Sequence, residues 1–195
     1  EHTTNLLHPS WRARKTMYRD NSLVPKEAIR MAALGALTQG SRGYSDIASE
    51  VRQFSARIVG PSLDLLGTSI ELLKFEGLIE PVTEESRDED AELVLTESGR
   101  AALVDYLRAP VRPGASDLNK LVIAIKLRFI DVLEPSDRAE QLDHLKHMYE
   151  GERVRLDDLA SHGEWMDGLM ADWLAMERDQ VNRRIAWCET LLNRI

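Results

Sequence analysis

The first part of the chain has apolar residues at three- and four-residue steps, the spacing that places them on one face of an α-helix. One such segment starts at Pro25, a favourable first helical residue, and stops at Gly40, a favourable exit. Its apolar face comprises Ile29, Ala32, Ala33 and Leu37. The pattern predicts a first helix, followed by a tight turn over residues 41–44.

Two further segments repeat the helical pattern, one over residues 45–59 and one from Ser62, a suitable N-cap, to a glycine exit at Gly77. Their predicted inward faces are Ile47, Val51, Phe54 and Ile58 in the second helix and Leu66, Ile70 and Leu73 in the third. Strand-like segments at residues 78–82 and 92–95 then flank a polar loop. Three helices followed by a β-hairpin predict a winged helix-turn-helix domain over residues 25–110. The hairpin would form its small two-stranded wing.

The remainder, residues 111–195, is also patterned as helix. An apolar stripe covers residues 118–133, and two longer segments follow with steps of three, four and seven residues. Because these long helices carry more apolar surface than one slender pair hides, we expect them to form a helical dimerisation domain. The residues predicted to make this contact are Leu142, Leu145, Tyr149, Leu156, Leu174, Val181, Ile185, Trp187, Cys188 and Leu192. The predicted fold is therefore mainly α, with antiparallel or coiled-coil-like dimerisation helices after the winged helix.

Charge is distributed unevenly along a chain whose net charge is −8. Residues 11–60 carry nine Lys or Arg and four Asp or Glu, whereas residues 61–110 carry four and twelve. Residues 1–24 lack a long periodic pattern and are predicted to form a basic N-terminal arm. A polyanion is attracted to residues 11–60 and repelled by residues 61–110.

Composition excludes several classes of protein. The single cysteine, Cys188, rules out an internal disulfide and, within an apolar helical pattern, is predicted to be a buried thiol. No apolar run reaches the ~18 residues of a membrane span, and the N-terminal residues lack the pattern of a secretory signal, so a cytoplasmic protein is expected. Phosphate-loop, nucleophile-elbow and zinc-protease motifs are absent, which argues against an enzyme. No cofactor or metal is predicted, and His144 and His147 are expected to lie on a solvated surface.

Three junctions are more specific than the number of helices. A Gly-Tyr turn opens the second helix, a Gly-Leu-Ile segment enters the hairpin, and a Leu-Thr-x-x-Gly-Arg-x-x-Leu segment leaves it. These positions are Gly43 and Tyr44, Gly77 to Ile79, and Leu95, Thr96, Gly99, Arg100 and Leu103. The pattern resembles the PadR family of transcription regulators. Near the C-terminus, Ala186 and Trp187 followed by Glu189 resemble the dimerisation domain of larger PadR-like proteins, including the virulence-activator branch.

The resemblance, which covers roughly residues 26–195, implies a homodimer that binds a palindromic operator with half-sites about 34 Å apart or a multiple of that. Two features depart from a usual DNA-binding surface. Asp64 and Glu71 lie on the outward face of the third helix, and the wing loop carries six carboxylates near Arg87. The DNA contacts are therefore predicted mainly on the arm and around the second helix. They are Arg12, Arg14, Lys15, Arg19, Arg42, Tyr44, Arg52, Arg57, Ser62, Thr68 and Ser69.

The same acidic surface supports an alternative function. An outward Phe75 beside Asp64 and Glu71 suits a basic protein partner, so the protein would act as an antirepressor or sequester another regulator. A small aromatic effector is a further candidate partner, because some PadR-like regulators bind such molecules between the winged helix and the dimerisation helices. The Trp and Met side chains of the last third would serve either that site or core and dimer packing.

Overall fold

The computed structural model describes residues 23–59, 66–83, 91–112, 117–163 and 168–195. The helices in these ranges are α1 (Pro25–Ala36), α2 (Tyr44–Val59), α3 (Leu66–Phe75), α4 (Glu97–Arg108), α5 (Asp117–Arg128), α6 (Pro135–Ser161) and α7 (Leu169–Leu192). The strands are β1 (Arg42–Gly43), β2 (Ile79–Pro81) and β3 (Glu92–Leu95). Across the described ranges, no helix is both long and apolar enough to cross a membrane.

Helix α1 is the centre of the first hydrophobic core. Eight of its twelve residues are buried, because α2, α3, α4 and α5 all pack around it. The inward faces predicted for the next two helices contribute Ile47 and Val51 from α2 and Ile70 and Leu73 from α3, all of them buried. The prediction of three helices around one core is confirmed.

The wing is a three-stranded antiparallel sheet with β3 in its centre and β1 and β2 at its edges. The expected hairpin pairs Ile79 with Leu95 and Pro81 with Leu93. The third strand was not expected: residues 42–43, predicted as part of a turn, pair with residues 92–93. This strand joins the start of α2 to the wing. Residues 84–90, the acidic loop, lie outside the described residues.

The exit from the wing into α4 depends on Thr96 and Gly99. The single proton of the Thr96 hydroxyl is shared by the carbonyl oxygens of Gly77, at 2.8 Å, and Leu78, at 3.0 Å. The hydroxyl oxygen accepts from the Gly99 backbone N–H at 3.0 Å, which makes Thr96 the N-cap of α4. A Cβ atom at Gly99 would lie 1.9 Å from the Leu78 carbonyl oxygen. Gly77 has a φ of 69°, a left-handed conformation that glycine adopts readily. The Thr-x-x-Gly spacing is therefore required for the turn and α4 to pack closely.

Helix α5 packs into the same core as the winged helix. Leu121, Val122, Ile125, Phe129 and Leu133 are buried in one cluster with residues of α1 to α4. The Phe129 ring fills the space beside α1, where a Cβ atom at Gly35 would lie 2.4 Å from a ring carbon. The division at residues 25–110 and 111–195 remains a prediction, but the first core continues across it.

Lys126 connects three helices from a buried position. Its side-chain nitrogen donates to the backbone carbonyl of Leu107, at 2.6 Å, to that of Ala109, and to the Gln141 side-chain oxygen at 3.0 Å. Two of these acceptors lie at the end of α4 and one lies on α6. Burial lowers the pKa of Lys126 from 10.5 to about 8, because removal from water disfavours the charged form.

Helices α6 and α7 form an antiparallel hairpin. Lys146 is paired with Glu189 at 3.4 Å, and Asp157 with Arg178 at 2.5 Å. The two ion pairs are eleven residues apart on each helix but follow in opposite order, as expected for antiparallel helices. Beside and between these ion pairs, a second core cluster contains Leu145, Tyr149, Val181, Ile185 and Cys188.

Most of the residues predicted to mediate dimerisation are already buried within one chain. Leu142, Leu145, Tyr149, Leu174, Val181, Ile185 and Cys188 are each less than 8 % exposed. Leu156 and Leu192 are partly buried, and Trp187 is 41 % exposed. The predicted apolar seam thus packs α6 against α7, and any contact with a second subunit must use the side chains that this hairpin leaves exposed.

Candidate nucleic-acid interface and cleft

The exposed face of α3, the helix that a winged helix would insert into DNA, is only partly described. Glu71 and Phe75 point outward as predicted, and Phe75 is 89 % exposed with the 42 % exposed Leu72 beside it on the helix. Lys74 is also exposed and adds a cation to this face. Its role was not predicted from the sequence, where its basic residue type was the one signal for it. Ser62, Asp64 and the side chains of Thr68 and Ser69 lie outside the described residues.

Three of the predicted arginines lie around α2. Arg52 and Arg57 are exposed, and Arg57 donates to the Gln53 carbonyl oxygen at 3.2 Å, a weak local contact that leaves its charge in solvent. Arg42, on β1, is half-buried. The ring of Tyr44 packs partly against the first core. Arg12, Arg14, Lys15 and Arg19 belong to the arm, which lies outside the described residues.

Glu50 joins Arg42 to the end of α5. One oxygen of its carboxylate accepts from the Arg42 guanidinium and the other accepts from the Arg128 guanidinium. Arg128 also stacks over two aromatic rings, with its central carbon 4.8 Å from the centre of the Phe54 ring and 5.1 Å from that of Phe129. The side chains of Arg42, Glu50 and Arg128 are 33 %, 23 % and 36 % exposed, so this network is only partly screened by water. The sequence pattern did not predict these contacts.

A cleft of about 860 Å³ opens between the winged helix and the helical hairpin. This volume lies within the ~300–1,000 Å³ of typical small-molecule sites. Its walls come from α2, α5, α6 and α7. The lining residues are Ile58, Asn119, Lys120, Ile123, Ala124, Leu127, Met148, Tyr149, Glu152, Glu177, Gln180, Arg184 and Trp187.

The cleft combines aromatic rings with charges of both signs. The Arg184 guanidinium lies over the Tyr149 ring, 5.6 Å from its centre, and Trp187 is half-exposed on the same wall. Burial raises the pKa of the Tyr149 hydroxyl. Cys188, next to Trp187 in the chain, is fully buried, and burial raises the pKa of its thiol to about 11. The cysteine is a packing residue, as predicted from its position in the apolar pattern.

Metal binding finds no support in the described residues, which contain no cluster of three or more His, Cys, Asp or Glu side chains suited to hold an ion. His144 and His147 lie on exposed turns of α6, as expected. His147 contacts the Asp143 carboxylate at 3.2 Å, and His144 contacts that of Glu140 at 3.8 Å. These are surface pairs of the ordinary i, i+4 kind.

Three helices and a small wing, followed by a long helical hairpin, place the chain in the class of winged-helix proteins. Within that class, the family model described as "Putative AphA-like transcriptional regulator" matches residues 18–192, and the chain belongs to this family. It is therefore a transcriptional regulator, the role that the junction motifs indicated. No curated protein matches the chain.

Several similar solved structures are those of Bacillus subtilis PadR. The crystal structure of this protein is 18 % identical, with a TM-score of 0.39, and the match covers 88 % of this chain and 96 % of that one. Its complex with operator DNA is matched at 19 % identity, covering 85 % and 97 %, with a TM-score of 0.35. Its complex with p-coumaric acid is matched at 18 % identity, covering 86 % and 98 %, with a TM-score of 0.37.

Proposed function

We propose that the protein is a homodimer that binds a palindromic DNA operator and regulates transcription. The observation that carries this proposal is the winged helix itself, with exposed Arg52 and Arg57 on α2 and Arg42 on β1. These side chains supply the phosphate contacts that fix a regulator on a duplex. The arm and the hydroxyl residues Ser62, Thr68 and Ser69 stay in the proposal as further contacts.

The proposed dimer uses apolar side chains that the hairpin does not bury. On α7, Trp173, Met176 and Trp187 are 44 %, 46 % and 41 % exposed, and on α6, Val154 is 63 % exposed. Clustered large apolar groups on a surface favour protein contact. Two copies joined through their hairpins would present two winged helices to one operator, and a change in the hairpin contacts would alter the spacing of the two heads.

The proposed effector site is the cleft, and the proposed effector is a small aromatic molecule. Trp187 and Tyr149 offer ring surfaces, and Arg184 offers a cation for an acidic group. p-Coumaric acid, present in one B. subtilis PadR crystal structure, is a suitable first probe. Binding should quench tryptophan fluorescence, and Trp187→Phe should remove most of that change. An equal change in the Trp187→Phe variant would exclude the cleft as the source of the signal.

The DNA-binding proposal is tested by titrating duplex DNA at two salt concentrations. Replacing Arg52 and Arg57 by alanine should reduce the dependence of log Kd on log salt by about one to two, because each lost phosphate contact removes roughly 0.9 from the slope. The matched control replaces Arg155 and Arg183, exposed arginines of the hairpin, and loses the same charge. Equal slopes for both variants would place α2 away from DNA, and no binding to any duplex at low salt would refute the proposal.

A second candidate function is docking onto a basic protein, such as another regulator. The observation that favours it is the 89 % exposed Phe75 beside exposed Leu72 and Glu71 on α3. A large ring is desolvated more favourably in a protein contact than beside phosphates, and a carboxylate near phosphates opposes binding. Replacing Glu71 by glutamine should strengthen nonspecific DNA binding if α3 approaches phosphates, whereas unchanged binding would favour the protein partner.

A further inference from the structure

Arg42 is the one described cation of β1, and its charge is not independent of the rest of the molecule. It shares the Glu50 carboxylate with Arg128, which is 78 residues away from Glu50 along the chain and lies at the end of α5. Two guanidinium groups on one carboxylate, one on each oxygen, also repel each other, so each is held less firmly than it would be alone. How firmly Glu50 holds Arg42 therefore depends on whether Arg128 is also paired with Glu50.

The position of Arg128 is set by α5 and by two aromatic rings. Its guanidinium lies over Phe54 of α2 and over Phe129, whose ring is lodged against Gly35 of α1. The residue before it, Leu127, lines the cleft, as do Ile123 and Ala124 of the same helix. Anything that displaces α5 from the cleft side thus moves a cation that competes with Arg42 for Glu50.

We propose that Glu50 is a positioning residue that controls how freely Arg42 can reach a nucleic-acid phosphate. Its effect on Arg42 depends on the position of Arg128. With Arg128 engaged, Glu50 is shared and Arg42 is available to DNA. With Arg128 withdrawn, Glu50 has Arg42 as its remaining partner in the network and holds it back. This inference rests on the proposed DNA-binding function and adds a route by which the cleft acts on the DNA-facing surface.

The first test needs no DNA. The rotation of the Arg42 guanidinium is measured by nuclear magnetic resonance in the free protein, with its signal assigned by its loss in Arg42→Lys. Arg128→Gln should slow this rotation, because Arg42 becomes the remaining partner of Glu50, and adding Glu50→Gln should speed it beyond the wild-type rate. Unchanged rotation in Arg128→Gln would overturn the inference, whether or not the protein binds DNA.

The second test is a double-mutant cycle on duplex affinity. Arg128→Gln should weaken binding about five-fold when Glu50 is present and less than about two-fold in the Glu50→Gln background, where only the long-range loss of charge remains. Glu50→Gln alone should tighten binding more than Asp46→Asn, which removes a charge from the same helix outside the network. Arg128→Lys keeps the charge but lacks the planar fork, so it should restore part of the affinity.

The outcomes separate the two proposals. An equal loss of affinity from Arg128→Gln in both backgrounds would overturn the role of Glu50 while leaving DNA binding established. Failure of the wild-type protein to bind any duplex would refute the proposed function, and the rotation of Arg42 in the free protein would then decide whether Glu50 links it to Arg128.

Discussion

Single residues at close contacts hold the wing in place. Thr96 satisfies the carbonyl groups of Gly77 and Leu78 and the first turn of α4, while Gly99 lets the helix approach the Leu78 carbonyl. Each residue does a task that its neighbours along the chain cannot do: the hydroxyl is both donor and acceptor, and the glycine has no Cβ atom. The wing entry and the wing exit are therefore joined at one point.

Gly99→Ala tests this junction. Its added Cβ would lie 1.9 Å from the Leu78 oxygen, so the backbone must move and the free energy of unfolding should fall by about 3 kcal/mol. The control is Gly151→Ala on α6, where the nearest atom, in the flexible Arg155 side chain, is 3.8 Å away. That change should stabilise the protein by roughly 0.5–1 kcal/mol. Urea denaturation of both variants measures the difference, and similar values would contradict the geometry at Gly99.

Lys126 predicts a dependence of stability on pH. Its pKa is lowered from 10.5 to about 8 in the folded protein, so between these pH values the unfolded chain binds more protons and stability rises with pH. The rise is at most about 3 kcal/mol, because the three acceptors around the nitrogen oppose the effect of burial. Well below pH 8, where the side chain is protonated in both states, this residue contributes no slope. Denaturation across this window should show the rise in the wild type but not in Lys126→Met, and parallel curves would contradict it.

At the scale of elements, α5 is the part whose role could not be read from its pattern. Its apolar stripe predicted a helix, and that helix exists. The stripe did not identify its partner, and the structure buries it against α1 and α2 rather than reserving it for the hairpin. An element assigned by position to the second half of the chain thus completes the core of the first half.

Phe129→Ala should therefore destabilise the winged helix. Deleting a buried ring leaves a cavity beside Gly35 and should cost about 3–5 kcal/mol of unfolding free energy. The matched control, Phe75→Ala, removes the same side chain from an exposed position and should change stability by less than about 0.5 kcal/mol.

Two fragments test the same packing. Because residues 121–133 are buried in the first core, a fragment of residues 1–133 should resist urea better than one of residues 1–110. Equal resistance would support a domain boundary at residue 110.

The sequence predicted α1 to α3 and the hairpin, because residues on one buried face of a helix or strand recur at a regular spacing. Strand β1 was not predicted, because its two residues, Arg42 and Gly43, form a strand only by pairing with residues 92–93, far along the chain. The same limit applies to the candidate site. Exposed arginines on α2 were found by residue type, whereas the pairing of Glu50 with Arg42 and Arg128 depends on how α2 and α5 meet. The local sequence pattern of each helix does not determine how the two helices pack against each other.

For the whole molecule, the antiparallel hairpin determines which surface remains for a second copy. Leu145, Tyr149, Val181, Ile185 and Cys188 are buried within one chain, so replacing them would unfold the hairpin rather than separate subunits. Trp173 and Met176 are exposed on α7 and are the better test. Changing both to glutamate should weaken self-association at least about ten-fold, because charged groups would be buried in the contact. Analytical ultracentrifugation over a range of concentrations measures this.

The control for that experiment is Asn182→Glu, which adds one negative charge at another exposed position of α7 and is compared with each single change to glutamate. It should leave the association constant nearly unchanged. A wild-type protein that stays monomeric at micromolar concentration would contradict the proposed dimer, and equal weakening by both variants would point to net charge rather than to the apolar surface.

The burial of Cys188 has a practical consequence for measuring how far apart two heads stand. The chain has one cysteine, and its thiol is fully enclosed, so a maleimide reagent has little thiolate to attack at neutral pH. A cysteine introduced at exposed Gln53 on α2 would then be the only position labelled, without removing the native one. Paired spin labels at that position would report the separation of the two α2 helices directly, with and without a molecule in the cleft.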